Sequence, residues 1–187
     1  SQDSVPDFVV GSGSLPPGAP ADLYRRLAAA ASARGARFVL DTSGDALREG
    51  IAGGVYLLKP NMRELGQLVG GEIASEEEQE DAATQLVAEG KAEVVVVSAG
   101  AQGVVLAHAD GCERYRSPTV PIRSKVGAGD SMVAGVVLGL ARGWSLTRAV
   151  QYGVAAGAAA VMTPGTELCR GGDVEALFER MDWNEQS

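Results

Sequence analysis

The run Val126-Gly127-Ala128-Gly129-Asp130, followed by the apolar stretch from Ser131 to Ala141, is the part of this chain best suited to chemistry. Two glycines let the backbone turn tightly and point successive N–H groups at one place. The helix expected over the apolar stretch adds its positive N-terminal end there, so the place suits an anion. Asp130 falls in the first turn of that helix, where a carboxylate stays ionised beside the N–H groups and can take a proton from a hydroxyl. An anion hole next to a base suits phosphoryl transfer, in which an enzyme chiefly positions groups and stabilises charge on the moving phosphoryl. The same residues also read as a plain loop with an Asp in a favoured first-turn position, and both readings stay open on this motif alone. A dinucleotide-binding fingerprint does not. Met132 stands where its third glycine belongs, and the stretch from Val150 to Val161, where its acidic residue would fall, carries no Asp or Glu.

Lys59-Pro60-Asn61-Met62-Arg63-Glu64 follows the strand-like Val55 to Leu58. Asn61 as N-cap with Glu64 three residues on makes a capping box. If the strand end borders a ligand crevice, as open α/β sheets favour, Asn61 and Glu64 can also order the waters of a Mg²⁺ ion while Lys59 faces a phosphate. Ser98-Ala99-Gly100-Ala101-Gln102-Gly103 follows the next buried strand and reads either as a tight glycine turn or as a nucleotide-phosphate site. The acidic run from Glu76 to Asp81 is a solvated first helical turn, capped by Ser75 with Glu78 closing a capping box. Trp144 and Trp183 read as packing residues, and His108, the single histidine, as an ordinary strand or turn residue.

The elements that must position these residues alternate. Strands are expected at Phe8 to Val10, Phe38 to Leu40 and Val55 to Leu58, with Asp41 at the end of the second. Between and after them, helices are expected at about Ala21 to Arg34, closed by Gly35, then Asp45 to Ile51, Asn61 to Val69 and Glu76 to Glu89. This order is the signature of βα units feeding a parallel sheet. Val94 to Val97 is a β-branched run suited to a strand covered on both faces, and Gly103 to Ala107 and Cys112 to Tyr115 suggest an antiparallel edge. Helices follow at Gly129 to Arg142, Ser145 to Val161 and Asp173 to Met181, with Gly135 and Gly139 on one helix face to pack against Ala155 to Ala160. The expectation is a single α/β domain over 1–187.

At 187 residues with 45% hydrophobic side chains the chain can bury a substantial core. Sixteen basic against twenty-four acidic residues give a net charge of −8, which disfavours nucleic acid and anionic lipid as partners. Cys112 and Cys169 form no CxxC pair and read as free thiols of the cytoplasm. The apolar runs are about half of what a membrane span needs. The chain opens on Ser1 and enters a strand almost at once, which suggests a fragment.

Taken with Gly11-Ser12-Gly13-Ser14-Leu15-Pro16-Pro17-Gly18, Gly153-Val154-Ala155-Ala156-Gly157 and Thr166-Glu167-Leu168-Cys169, these motifs resemble, in order and spacing, the PfkB-type carbohydrate kinases of the ribokinase-like superfamily. The resemblance covers almost the whole chain and lies nearest the phosphofructokinase branch. It implies a ribokinase-like three-layer α/β/α sandwich with a mainly parallel sheet, of which this chain is the C-terminal portion, lacking the N-terminal part and the lid. It implies ATP-dependent phosphorylation of fructose 6-phosphate to fructose 1,6-bisphosphate, with fructose 1-phosphate or tagatose 6-phosphate as alternative substrates. A catalytically silent nucleotide-binding fragment is the reading of another class. By resemblance Asp130 is the base and Gly127, Ala128 and Gly129 form the anion hole. Lys59, Asn61, Ser98, Gly100 and Gly103 meet ATP, Ser12, Gly13 and Ser14 meet the sugar phosphate, and Asn61 and Glu64 organise Mg²⁺ through water. Carbonyls of Ser124, Val126, Ala160 and Gly165 are the expected ligands of a monovalent cation, K⁺, and a homodimer is implied for the full-length protein.

Overall fold

The computed structural model describes residues 5–181. Six strands, β1 (Phe8–Ser12), β2 (Arg37–Asp41), β3 (Val55–Leu58), β4 (Ala92–Ser98), β5 (Val104–His108) and β6 (Gly111–Tyr115), hydrogen-bond in chain order in one sheet. The helices are α1 (Leu23–Ser32), α2 (Gly44–Gly50), α3 (Met62–Val69), α4 (Glu76–Ala88), α5 (Ala128–Ala141), α6 (Leu146–Val161) and α7 (Gly171–Arg180). The pairs β1–β2, β2–β3 and β3–β4 are parallel, as βα alternation requires. Only five residues join β4 to β5 and two join β5 to β6, too few for a parallel crossover, so the last strands are hairpins. The chain is therefore an α/β protein with a mostly parallel sheet. Its described residues divide into two compact units, 5–97 with 107–112, and 98–106 with 113–181.

In the first unit the apolar runs form the most buried strands. Val39, Leu40, Leu58 and Val95 to Val97 are fully inaccessible, which only a sheet covered on both faces allows. Helix α1 buries Tyr24, Ala28 and Ala31 along one stripe. It closes as expected at Gly35, whose N–H meets Ser32 O at 2.9 Å while Ala36 N–H meets Ala31 O at 2.9 Å. The acidic run does belong to a cap. Glu78 N–H donates to Ser75 Oγ at 3.1 Å, and the Glu78 carboxylate accepts the N–H groups of Ala74 and Ser75, which hold its pKa below the usual value. Several boundaries differ from the pattern, among them the start of β4 at Ala92 and of α1 at Leu23. Strand β1 runs on to Ser12, and α2 begins at Gly44 with Ser43 as its N-cap position.

In the second unit α5 and α6 lie against each other through small residues. A Cβ on Gly135 would stand 2.9 Å from Ala156 Cβ and from Gly153 Cα, so this glycine serves the packing expected of it. Gly139 instead faces Ala149, nearly two turns earlier on α6 than Ala155, and Trp144, which precedes that helix, because the two helices cross as antiparallel neighbours. Trp144 packs as expected, its ring 5.3 Å from Tyr152 edge-on and 5.9 Å from Phe178 in a stack, while Trp183 lies outside the described residues. Helix α7 starts at Gly171, two residues before the expected Asp173. Among the described residues no helix is long and apolar enough to cross a membrane.

Candidate functional site

The parallel register of the first unit sets the C-terminal strand ends side by side, with Ser12 level with Asp41 and Leu40 level with Leu58. Lys59 is the next residue along. Its N–H donates to Leu40 O at 3.0 Å, and its ammonium reaches back to Asp41 Oδ1 at 3.0 Å. The Lys59 side chain is only 7% exposed, and a charge removed from water to that degree needs a partner. Asp41 supplies it, so any anion that meets Lys59 meets a cation already fixed in place. In the sequence Asp41 is marked only by its place at a strand end. The pairing depends on the β2–β3 register, which no local pattern reveals.

Asn61 and Glu64 form the capping box in full: Glu64 N–H donates to Asn61 Oδ1 and Asn61 N–H to Glu64 Oε2, each at 2.9 Å. Both residues therefore have a structural task. The box uses one Glu64 oxygen and leaves the other for a second partner. Mg²⁺ fits such a donor set only with water in its shell, which that ion commonly retains. Among the described residues no three His, Cys, Asp or Glu side chains cluster as direct ligands. Asn61→Ala is expected to lower unfolding free energy by about 1 kcal/mol and Asn61→Asp, which keeps the acceptor, to leave it nearly unchanged, as read by urea denaturation.

Also in the first unit, Ser12, Gly13 and Ser14 are exposed at the end of β1, and Gly13 N–H donates to Asp41 O at 2.9 Å. This segment and Lys59 thus share Asp41, one through its backbone and one through its carboxylate.

In the second unit Gly127 is the N-cap of α5 with φ +77° and ψ 0°, a left-handed conformation open to glycine at little cost. Ser131 N–H to Gly127 O at 2.9 Å begins the helix ladder. No side chain caps this end, whereas Asn61, Ser75 and Ser145 cap α3, α4 and α6. The N–H groups of Ala128 and Gly129 therefore lie at the first two helical positions, outside the ladder and without a side-chain cap, where an anion is favoured. Asp130 follows in the first turn, exposed, while Ser131 and Met132 turn into the core.

Ser98 ends β4, and Gly100 to Gln102 form a 3₁₀ turn. Ala99 N–H donates to Gly103 O at 2.9 Å and Gly103 N–H to Gly100 O at 3.1 Å, with Ser117 Oγ also donating to Gly100 O at 3.2 Å. The strand expected from Gly103 starts at Val104 instead. Gly103 holds φ +101° and ψ −136°, outside any strand conformation, and turns the chain into β5. Of the expected cation ligands, Ser124 N–H donates to Val161 O at 3.3 Å, tying that segment to the end of α6. The Ala160 carbonyl accepts Thr163 N–H at 3.1 Å and lies 2.8 Å from Thr163 Oγ1, whose hydroxyl also lies 2.9 Å from Glu167 O. Val126 and Gly165 lie in the exposed loops beside these two segments.

Comparison with known proteins gives a match to the pfkB family carbohydrate kinase model over residues 4–170. The ATP-dependent 6-phosphofructokinase isozyme 2 of Mycobacterium tuberculosis is 51% identical over 172 residues, covering 92% of this chain and 50% of that protein. The 1-phosphofructokinase of Bacillus subtilis is 38% identical over 163 residues, covering 86% of this chain and 54% of that protein. Among solved structures, phosphofructokinase-2 from Escherichia coli in complex with potassium superposes with a TM-score of 0.88 at 42% identity, covering 92% of this chain and 56% of that one. The chain thus spans about half the length of the curated relatives it matches.

Proposed function

Because the chain belongs to the pfkB family of carbohydrate kinases, we propose that it serves the ATP- and Mg²⁺-dependent phosphorylation of a sugar phosphate, fructose 6-phosphate being converted to fructose 1,6-bisphosphate. The observation that carries this reading is the start of α5, where N–H groups without a side-chain cap stand beside the exposed carboxylate of Asp130. Asp130 takes the proton from the sugar 1-hydroxyl as it attacks, and the N–H groups of Gly127, Ala128 and Gly129 stabilise the charge of the moving phosphoryl. Lys59, held by Asp41, meets the nucleotide phosphates, as do the backbone and hydroxyl groups of Ser98, Gly100 and Gly103. Asn61 and Glu64 hold magnesium through water while keeping their capping box. Magnesium supplies neutralisation of charge on the phosphate oxygens.

Ser12, Gly13 and Ser14 take the sugar phosphate. Potassium is proposed at the carbonyls of Ser124, Val126, Ala160 and Gly165, the bond from Ser124 N–H to Val161 O tying the first of these segments to the end of α6. The family match runs through both units, which favours reading them as portions of one kinase domain. A homodimer in the cytoplasm is our reading for the whole protein, a setting that suits the free thiols of Cys112 and Cys169.

The test is a coupled ADP-release assay with ATP and Mg²⁺, using fructose 6-phosphate, fructose 1-phosphate and tagatose 6-phosphate in parallel. It is run on this chain and on a form extended to its relatives' length. Fastest turnover of fructose 6-phosphate in either form is the expected result. ATP binding with no turnover of any of the three in both forms would overturn the kinase reading in favour of a silent nucleotide-binding chain.

A further inference from the structure

The exposed Ser12–Ser14 segment is held from beneath by two buried hydroxyls. Tyr24, 7% exposed on α1, directs its phenol O–H between two carbonyl oxygens, Ser12 O at 3.0 Å and Gly13 O at 2.9 Å. Thr42, 5% exposed just after β2, donates its hydroxyl to the same Gly13 O at 2.7 Å. Gly13 N–H in turn donates to Asp41 O at 2.9 Å, so this residue is gripped through both its carbonyl and its amide. Such convergence is uncommon for an exposed loop, whose backbone groups ordinarily bond to water.

The sequence makes room for the grip. A Cβ on Gly11 would stand 2.8 Å from Tyr24 Cδ1 and Cε1 and 2.8 Å from Phe38 Cζ, so only glycine lets the phenol ring slide under the end of β1. Burial, and after it the negative charge of Asp41, push the Tyr24 pKa above its ordinary value of 10.0. The phenol therefore keeps its proton, and its donation, through neutral and mildly alkaline pH. With the Ser12 and Gly13 carbonyls bonded inward, Ser14 and Leu15 make no hydrogen bond of their own among the described residues. The Ser12 and Gly13 carbonyl dipoles are thereby directed at buried hydroxyls and away from the exposed side, which removes from it negative ends that would repel an anion.

We infer that Tyr24 and Thr42 are positioning residues that fix the Ser12–Ser14 loop in the form that receives the phosphate of the sugar substrate. This rests on the assignment of that loop to the sugar phosphate. The two residues touch the loop and not the reacting atoms, so they set substrate affinity and leave the phosphoryl-transfer step alone. A neutral hydrogen bond of this kind corresponds to roughly a two- to tenfold change in a binding constant.

Tyr24→Phe and Thr42→Val, which remove one hydroxyl each and conserve shape, test the inference in the active protein, with Thr42→Ser as the rescue. The expected result is a rise of about fivefold in KM for fructose 6-phosphate in each variant, with kcat and KM for ATP within about twofold of the parent. Thr42→Ser should restore KM. Hydrogen exchange of the amides of residues 12–15, measured without ligand, should quicken in both variants. An unchanged KM for the sugar phosphate in an active parent overturns the inference, as does a parallel shift of kcat and both KM values with the melting temperature. Should neither this chain nor its extended form turn over any sugar phosphate, the functional assignment itself has failed. Exchange then separates the two: unchanged exchange refutes the grip, and quickened exchange upholds the grip while overturning its assignment to the sugar phosphate.

Discussion

Asp130→Asn is expected to cut turnover of the sugar phosphate by at least about a hundredfold while leaving ATP affinity within about twofold. Asparagine matches aspartate in size and still sits well in a first helical turn, so the start of α5 keeps its shape. What the amide lacks is the ability to take a proton at neutral pH. The N–H groups of Ala128 and Gly129 come from the backbone and are untouched by the change. An effect confined to kcat would therefore isolate proton acceptance from phosphate binding. Loss of the carboxylate also removes a favourable charge from the helix N-terminus, worth about 0.3–1 kcal/mol, so a small fall in melting temperature accompanies the kinetic effect without explaining it. Stopped-time ADP release gives the first quantity and calorimetric titration with ATP the second. Turnover equal to the parent's would remove Asp130 from the role of base.

The parts of this site that a sequence shows are those built from neighbours in the chain. The Asn61–Glu64 box, the Ser75–Glu78 box and the stop at Gly35 each involve residues within a turn of one another, and each is formed as the spacing predicts. The β-branched run Val94 to Val97 likewise declares a doubly covered strand, since no half-exposed strand would tolerate it. What escapes is whatever depends on register or on a backbone conformation set at a distance. Lys59 meets Asp41 because β2 and β3 align Leu40 with Leu58, and Tyr24 reaches Gly13 because α1 folds back under β1. Neither relation has a local signature. The motif residues were therefore legible, but the side chains that hold them were not.

Gly103 shows the same division in one residue, and it carries the largest structural prediction. As part of Ser98-Ala99-Gly100-Ala101-Gln102-Gly103 it reads as one of the glycines that let a backbone approach phosphates. Its geometry gives it a prior obligation. At φ +101° and ψ −136° the residue sits where side chains are essentially excluded, and a Cβ there would overlap the carbonyl oxygen of Tyr115 and stand 2.7 Å from Arg116 Cα. All of these are backbone atoms, which cannot swing aside as a side-chain tip can. Gly103→Ala must then move the end of β6 or break the 3₁₀ turn at Gly100, and a cost of about 3 kcal/mol or more is expected from strain and lost packing together. Gly100→Ala is the control within the same motif. Gly100 also has positive φ, at +61°, but open space where its Cβ would point, so about 1 kcal/mol is expected. Urea midpoints compare the two directly, and ATP affinity measured below the transition shows whether either change reaches the nucleotide. If both alanines cost the same, steric closure at Gly103 is not what selects glycine there, and phosphate approach becomes its better explanation.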